Sequence, residues 1–158
     1  MQITIRRAAT DDAAALSALC VDVQQVHAIA HPEFFKQPAG PDFARAFMAE
    51  RLDDPDVRIF IAEHDGEPVG YALGQIVDLE ENPFRHAVRQ LVIDQMSVRP
   101  AYRGRGIGTR LLEEMFATAG AEEIKLLTLS VWRFNEGARA LYKRHGFAVY
   151  LERLWLTR

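Results

Sequence analysis

The sequence predicts an α+β domain, and three observations predict it. Asp65-Gly66 stands between two strand-like runs, Val57 to His64 and Glu67 to Val77, and Asp-Gly in that setting is the strongest short-range signal for an antiparallel hairpin. An apolar run, Leu91 to Val98, ends before Pro100, crosses a glycine- and arginine-rich turn, and enters helical periodicity at Ile107, Leu111, Leu112, Met115 and Phe116. Strand and helix patterns interleave along the chain without repeats, low-complexity tracts or a linker, so residues 1–158 are expected to form one domain.

The elements follow in order. Ile3 and Ile5 alternate with Gln2, Thr4 and Arg6, which is a strand with one buried face. Thr10-Asp11-Asp12 supplies a helix cap, after which Leu16, Leu19, Val23 and Val26 recur at helical spacing to about residue 29. Three prolines and several aromatic residues between His31 and Pro41 read as an ordered loop. Asp42 is placed to cap a second helix with Phe43, Ala46, Phe47 and Leu52 as its buried stripe, ending before Asp54-Pro55. The hairpin follows, then a polar connection, residues 78–87, turning at Asn82-Pro83. After the glycine turn and its helix, Ile124 to Trp132 is an apolar run of strand length. Asn135 caps a short helix that stops at Gly146, and Phe147 to Leu156 reads as a last strand. The predicted order is β-α-α-β-β-β-α-β-α-β.

Composition narrows the function classes. Hydrophobic residues at 49% and charged residues at 26% suit a globular domain and argue against disorder. A net charge of −3 disfavours a general nucleic-acid binder, although Arg99, Arg103 and Arg105 with Tyr102 make a local basic patch. The single cysteine, Cys20, makes no internal disulfide and fits a reducing compartment. No apolar run approaches a membrane span and no signal peptide is evident, so neither a membrane nor a nucleic-acid partner is expected and the reading is cytoplasmic. His27 and His31 have a metal-compatible spacing, but Pro32 follows and no further ligands cluster with them, so no metal is expected.

The turn Arg103-Gly104-Arg105-Gly106-Ile107-Gly108-Thr109 is suited to an anion. Its glycines let backbone N–H groups approach a ligand, the following helix points its unsatisfied N–H groups at the same place, and two arginines add charge. No Lys-Ser/Thr follows, which excludes a Walker A nucleotide loop, and the Gly-x-Gly-x-x-Gly dinucleotide spacing is absent. RNA-stacking aromatics after the glycines are missing too, since Ile107 and Thr109 stand there.

These residues resemble the GNAT superfamily of acetyl-CoA-dependent N-acetyltransferases. Its cofactor loop, Gln/Arg-x-x-Gly-x-Gly/Ala preceded by Val-x-Pro, is matched by Val98-Arg99-Pro100 and Arg103 to Gly108, and Asn135 to Phe147 matches the family's Asn-x-x-Ala-x-x-Leu-Tyr-x-x-x-Gly-Phe block. The resemblance implies a three-layer α/β fold. Its sheet would be mixed and mostly antiparallel, with about six to seven strands flanked by about four helices. It also implies transfer of acetyl from acetyl-CoA to a primary amine by direct attack on the thioester. The alternative is a non-catalytic acyl-CoA-binding module of the same fold. Cys20, on the first helix and apart from both blocks, suits a reaction without a covalent enzyme intermediate.

By the same resemblance, Arg103 to Thr109 seat the pyrophosphate of coenzyme A. The pantetheine arm lies between the strand holding Met96 and Val98 and the next apolar strand. Met96 N–H faces the thioester carbonyl, Asn135 bonds the cofactor, and Tyr142 donates a proton to the leaving thiolate. The family's early-strand glutamate is Val92 here, so the group accepting the amine proton is open among Asp94, on the same strand face, and Glu80, Glu81 and His86 on the neighbouring loop. Glu80 and Glu81 favour a cationic acceptor, either a small molecule or a peptide amine. Trp132, Phe134 and Trp155 read as core or dimer contacts, and Phe34, Phe35 and Phe84 as cleft lining. The last strand is the segment that makes a homodimer contact in many relatives.

Overall fold

The computed structural model describes residues 2–156. Five strands form one sheet in sequence order: β1 (Ile3–Arg7), β2 (Val57–His64), β3 (Glu67–Leu79), β4 (Val88–Val98) and β5 (Leu126–Leu129). The first four are antiparallel neighbours and β5 runs parallel to β4. Four helices cover the sheet: α1 (Ala13–Ala30), α2 (Arg45–Asp53), α3 (Ile107–Ala121) and α4 (Glu136–Arg144).

Alternation along the strands sends two apolar sets to opposite faces. Val57, Ile59, Ile61, Tyr71 and Leu73 meet Leu16, Leu19 and Cys20 of α1 and Met48 of α2. Ala62, Ala72, Ile76, Leu91 and Ile93 meet Ile107, Leu111, Leu112 and Met115 of α3 on the other face, where Tyr142 of α4 also packs. Helix, sheet and helix therefore make three layers.

Several expectations are corrected. The sheet has five strands among the described residues, not six to seven, because the chain after Gly146 forms none. Its apolar residues Val149, Leu151 and Leu154 signal a need for burial, but no strand pairs with them among the described residues, and these side chains are 77%, 67% and 88% exposed. Strand β5 is shorter than the apolar run that announced it, because pairing with β4 stops at Leu129. Helix α2 starts at Arg45 with Ala44, not Asp42, at its N-cap, and the Ala44 N–H is satisfied by Ser17 Oγ at 3.0 Å. Its buried anchor is Met48, while Phe43 and Phe47 are exposed. The stretch Thr10–Ala30 is long and apolar enough to cross a membrane by length and composition, although Leu16, Leu19 and Cys20 bury one of its sides on the sheet.

Candidate active site

The site begins where the sheet comes apart. β4 and β5 pair from Gln90 with Leu126 to Ile93 with Leu129, and past that point the two arms separate. A bulge sits at the fork: Leu73 opposes Gln95 and Gly74 opposes Ile93, leaving Asp94 as the extra residue. Ile93 and Met96 therefore both pack on the α3 face, while Gln95 reaches the opposite face, where its Oε1 accepts from the Tyr71 phenol at 2.8 Å. Past the bulge, Arg99 N–H bonds Val69 O at 2.8 Å, so by the two-residue period Ser97 also turns to β3. Met96 and Val98 then present their N–H and C=O groups to the open arm.

Beyond Val98 a 3-10 turn, Pro100–Tyr102, leads into the glycine turn. Gly104 and Gly106 have φ of +73° and +78°, left-handed values that L side chains adopt only under strain. Gly106 is the N-cap of α3, so the first N–H groups of that helix face the turn without an intrahelical acceptor. Gly108 has a different role, since a Cβ there would come within 3.2 Å of Leu141 Cδ2, and its bareness lets α4 pack against α3. Arg103 Nε donates to Val98 O at 2.9 Å, bracing the end of β4, and the Arg105 guanidinium lies 5.6 Å from the Tyr102 ring centre. Thr109 Oγ1 is 3.3 Å from His145 Nε2, a second link between α3 and α4.

Helix α4 hangs from the β5 arm. Asn135 Oδ1 accepts the Ala138 N–H at 3.2 Å, the expected cap. One turn beyond Ala138, Tyr142 packs against Phe147 with ring centres 5.8 Å apart, and burial raises its phenol above the ordinary value. The phenol is therefore held in its protonated, donating form. Among the described residues no group of three or more His, Cys, Asp or Glu side chains gathers as a metal set.

Residues 20–147 match the model of the acetyltransferase (GNAT) family. The chain belongs to that family. An uncharacterized N-acetyltransferase of Bacillus subtilis, YhfO, is 32% identical over 148 residues, which cover 92% of this chain and 89% of the relative. The crystal structure of a mutant of the BH1408 protein from Bacillus halodurans superposes with a TM-score of 0.92 at 19% identity, covering 98% of this chain and 99% of that one. A predicted acetyltransferase from Clostridium acetobutylicum, solved with acetyl-CoA, superposes at a TM-score of 0.72 with 22% identity, covering 99% of this chain and 96% of that one. These two structural likenesses carry the fold.

In this acetyltransferase the motif residues Met96 to Thr109, Asn135 and Tyr142 fall on elements that meet around the fork. The acidic candidates divide. Asp94 is exposed at the bulge on the α1 face, close enough to Tyr71 for its charge to help keep that phenol protonated, behind the larger effect of burial. Glu80, Glu81 and His86 are exposed at the far tip of the β3–β4 hairpin. From Val88 to Met96 the extended strand spans about 27 Å, so the structure does not bring these three to the fork. Cys20 is nearer the motifs than expected: α1 crosses β4 and sets its Sγ 3.1 Å from Tyr71 Oη and 3.9 Å from Gln95 Oε1. Burial pushes that thiol up, which makes it a poor nucleophile. Sequence reading missed Tyr71 and Gln95, whose only signal was a polar head within an apolar strand pattern.

Proposed function

We propose that the protein transfers the acetyl group of acetyl-CoA to a primary amine by direct attack of the amine on the thioester. The observation that carries this reading is the fork: β4 parts from β5 beyond Ile93 and turns the Met96 backbone groups and the Val98 N–H to the open arm, with Val98 O held by Arg103, upstream of a helix N-terminus capped by left-handed Gly106. Paired amides of an extended arm suit the backbone groups of Met96 and Val98. The pyrophosphate suits the N–H groups from Gly104 to Thr109, with Arg103 and Arg105 beside them. Acetyl-CoA bound to the Clostridium acetobutylicum relative supports the choice of donor.

In this reading Met96 N–H donates to the thioester oxygen as negative charge develops there; one such donor is typically worth about 10²–10³ in rate. Asn135 bonds the cofactor through its amide nitrogen, and Tyr142 protonates the departing thiolate. Asp94 stands at the bulge with its charge directed to the α1 face, where it draws in the ammonium form of the acceptor. Glu80 and Glu81, at the hairpin tip, contact only an acceptor long enough to reach along β4. A peptide or small-molecule amine and a cytoplasmic setting complete the reading, the latter supported by the lone, reduced and buried Cys20.

The protein is also proposed to be a homodimer. Val149, Tyr150, Leu151, Leu154 and Leu156 are exposed on the tail, and β5 is paired on one edge only. A second copy supplies what each lacks. Sedimentation should give twice the chain mass and deletion of residues 149–158 should give the monomer; a monomeric full chain contradicts the dimer.

The decisive experiment for function is a panel of primary amines with acetyl-CoA and thiol release as readout, run beside thermal melting. Acetyl-CoA should raise the melting temperature by preferential binding to the folded state, and at least one amine should release thiol. A folded protein that shows no shift at millimolar acetyl-CoA overturns the reading.

A further inference from the structure

The sheet-facing stripe of α1 changes character along its length. Leu16 is fully buried and Cys20 reaches Tyr71 and Gln95 on the β4 side. Two to three turns later the same face carries His27 and His31, whose rings contact Phe134 and Trp132 just beyond β5. The helix thus spans both arms of the fork, and it is apolar over closed sheet and imidazole-bearing where the sheet has opened. An all-structural helix would keep this stripe apolar to its end.

Both imidazoles are oriented. His27 Nδ1 lies 2.7 Å from Val23 O and donates to it, since a carbonyl only accepts, which leaves the lone pair of the neutral ring on Nε2. His31 Nδ1 lies 3.0 Å from the Glu33 carboxylate and is fixed the same way. Among the described residues no hydrogen-bond partner meets either Nε2. His27 touches Phe35 and Phe134 with ring centres 5.0 and 5.5 Å away, and His31 sits 4.6 Å from Trp132. Trp155 of the tail closes the cluster, 5.6 Å from Trp132. Among the described residues the charged group in contact with these two rings is Glu33, 3.0 Å from His31 Nδ1, and the rings against them are those of Phe34, Phe35, Trp132, Phe134 and Trp155; Arg133, between Trp132 and Phe134 in sequence, is exposed.

Trp132 and Phe134 are the third and fifth residues after Leu129, the last paired residue of β5, and Met96 and Val98 are the third and fifth after Ile93, its partner on β4. The β4 arm carries the Asp94 bulge and the β5 arm turns at Trp132, where Asn135 N–H bonds Trp132 O at 3.0 Å, so the two arms reach Met96 and Trp132 soon after the fork opens. Imidazole changes charge between about pH 5 and 8, so it accepts a proton from an ammonium better than a carboxylate does.

Resting on the acetyl-CoA reading above, we propose that His27, His31, Trp132 and Phe134 form the acceptor side of the fork, taking a primary amine carried on a flat apolar group, with His27 Nε2 as the proton acceptor. The ammonium gives its proton to His27, which passes it to water, and the free amine forms the C–N bond to the acetyl carbon. The C–S bond breaks, the attacking nitrogen loses its second proton to the freed His27 and on to water, and the thiolate takes a proton from Tyr142, which is reprotonated from water. Two protons leave the nitrogen and one returns to the thiol, so one proton is released per ammonium acetylated. Rings rather than clustered carboxylates line the wall, which favours an arylalkylamine over a polycation.

Phenethylamine and spermidine as competing acceptors, with thiol release as readout, test this on the full chain. Wild type should show kcat/KM at least tenfold higher for phenethylamine. His27→Gln should lower kcat with phenethylamine by about 10², and the ratio of wild-type to variant rate should rise with pH to a plateau. Trp132→Leu should raise KM for phenethylamine and leave kcat within about twofold. A preference for spermidine, turnover of neither amine, or a folded His27→Gln with the wild-type pH profile overturns the proposal; if that variant does not fold, the wild-type preference decides alone. An acetyl-CoA melting shift that persists in such a case shows that only this inference has failed, whereas its absence in wild type removes the acetyl-CoA reading as well.

Discussion

The two sides of the fork are built from different materials. The side assigned to coenzyme A is backbone: the free edge of β4, two left-handed glycines and the first turn of α3, all within residues 94–109. The side facing α1 is side chains drawn from distant parts of the chain, namely Cys20 and His27 on α1 with His31 at its C-cap, Tyr71 and Gln95 on two strands, and Trp132 and Phe134 after β5. A site made of backbone tolerates few substitutions at its turns and recognises what all its ligands share. A site made of side chains can change its ligand by point substitution without disturbing the fold.

That contrast predicts the order of mutational effects. Gly106→Val should be the most damaging, because a β-branched residue at φ +78° is strained and also crowds the N–H groups of the turn. It should abolish the acetyl-CoA melting shift and cost about 1–3 kcal/mol of stability, read by denaturant unfolding; a retained shift would break the backbone account of this side. Tyr142→Phe should come next. Turnover should fall about 10²-fold with acetyl-CoA affinity unchanged, and in wild type the loss of acid function with rising pH should come later than for an ordinary phenol, because burial holds the Tyr142 phenol above its ordinary value. Equal turnover by the two proteins with chemistry rate-limiting would remove Tyr142 from that role.

Tyr71→Phe sharpens the comparison from the α1 side. It removes the strong donor to Gln95 Oε1 and leaves that oxygen with the weak Cys20 thiol donor at 3.9 Å, at a cost of about 1 kcal/mol. Turnover should fall more than acetyl-CoA affinity, because the bulge positions Asp94 and the start of the fork; titration calorimetry beside initial rates would separate the two. The smallest effect belongs to Arg6, which anchors the start of α1 by bonding Asp12 at 2.7 Å and Glu63 at 2.8 Å. The Arg6 guanidinium holds the Asp12 carboxyl below its ordinary value. The resulting stabilisation is present above the unfolded pKa of about 3.9 and is lost as pH falls through the lower folded value. Arg6→Met should lower the melting temperature by about 2–4 °C at pH 7, with the difference vanishing in strong acid.

The same division explains what the sequence made legible. Turn chemistry, the Asn135 cap and the hairpin at Asp65-Gly66 are dictated by residues close in sequence, and they stand where local physics places them. The Cys20, Tyr71 and Gln95 contact is created by α1 crossing β4, and no local pattern announces it. Asp94 sits where a bulge shifts the strand by one residue, which a regular two-residue period does not foresee. The last strand fails for a related reason: the apolar residues from Val149 to Leu154 report a need for burial, but a strand also requires a neighbour, and none pairs with this stretch among the described residues.

The central claim is that the forked β4 edge receives the thioester while the glycine turn receives the pyrophosphate. A crystal structure of the full chain with acetyl-CoA tests it most directly. The thioester oxygen should lie within hydrogen-bond distance of Met96 N–H, and phosphate oxygens should sit on the N–H groups between Gly104 and Thr109. Acetyl-CoA bound away from β4, or Met96 N–H turned from the thioester, would contradict it.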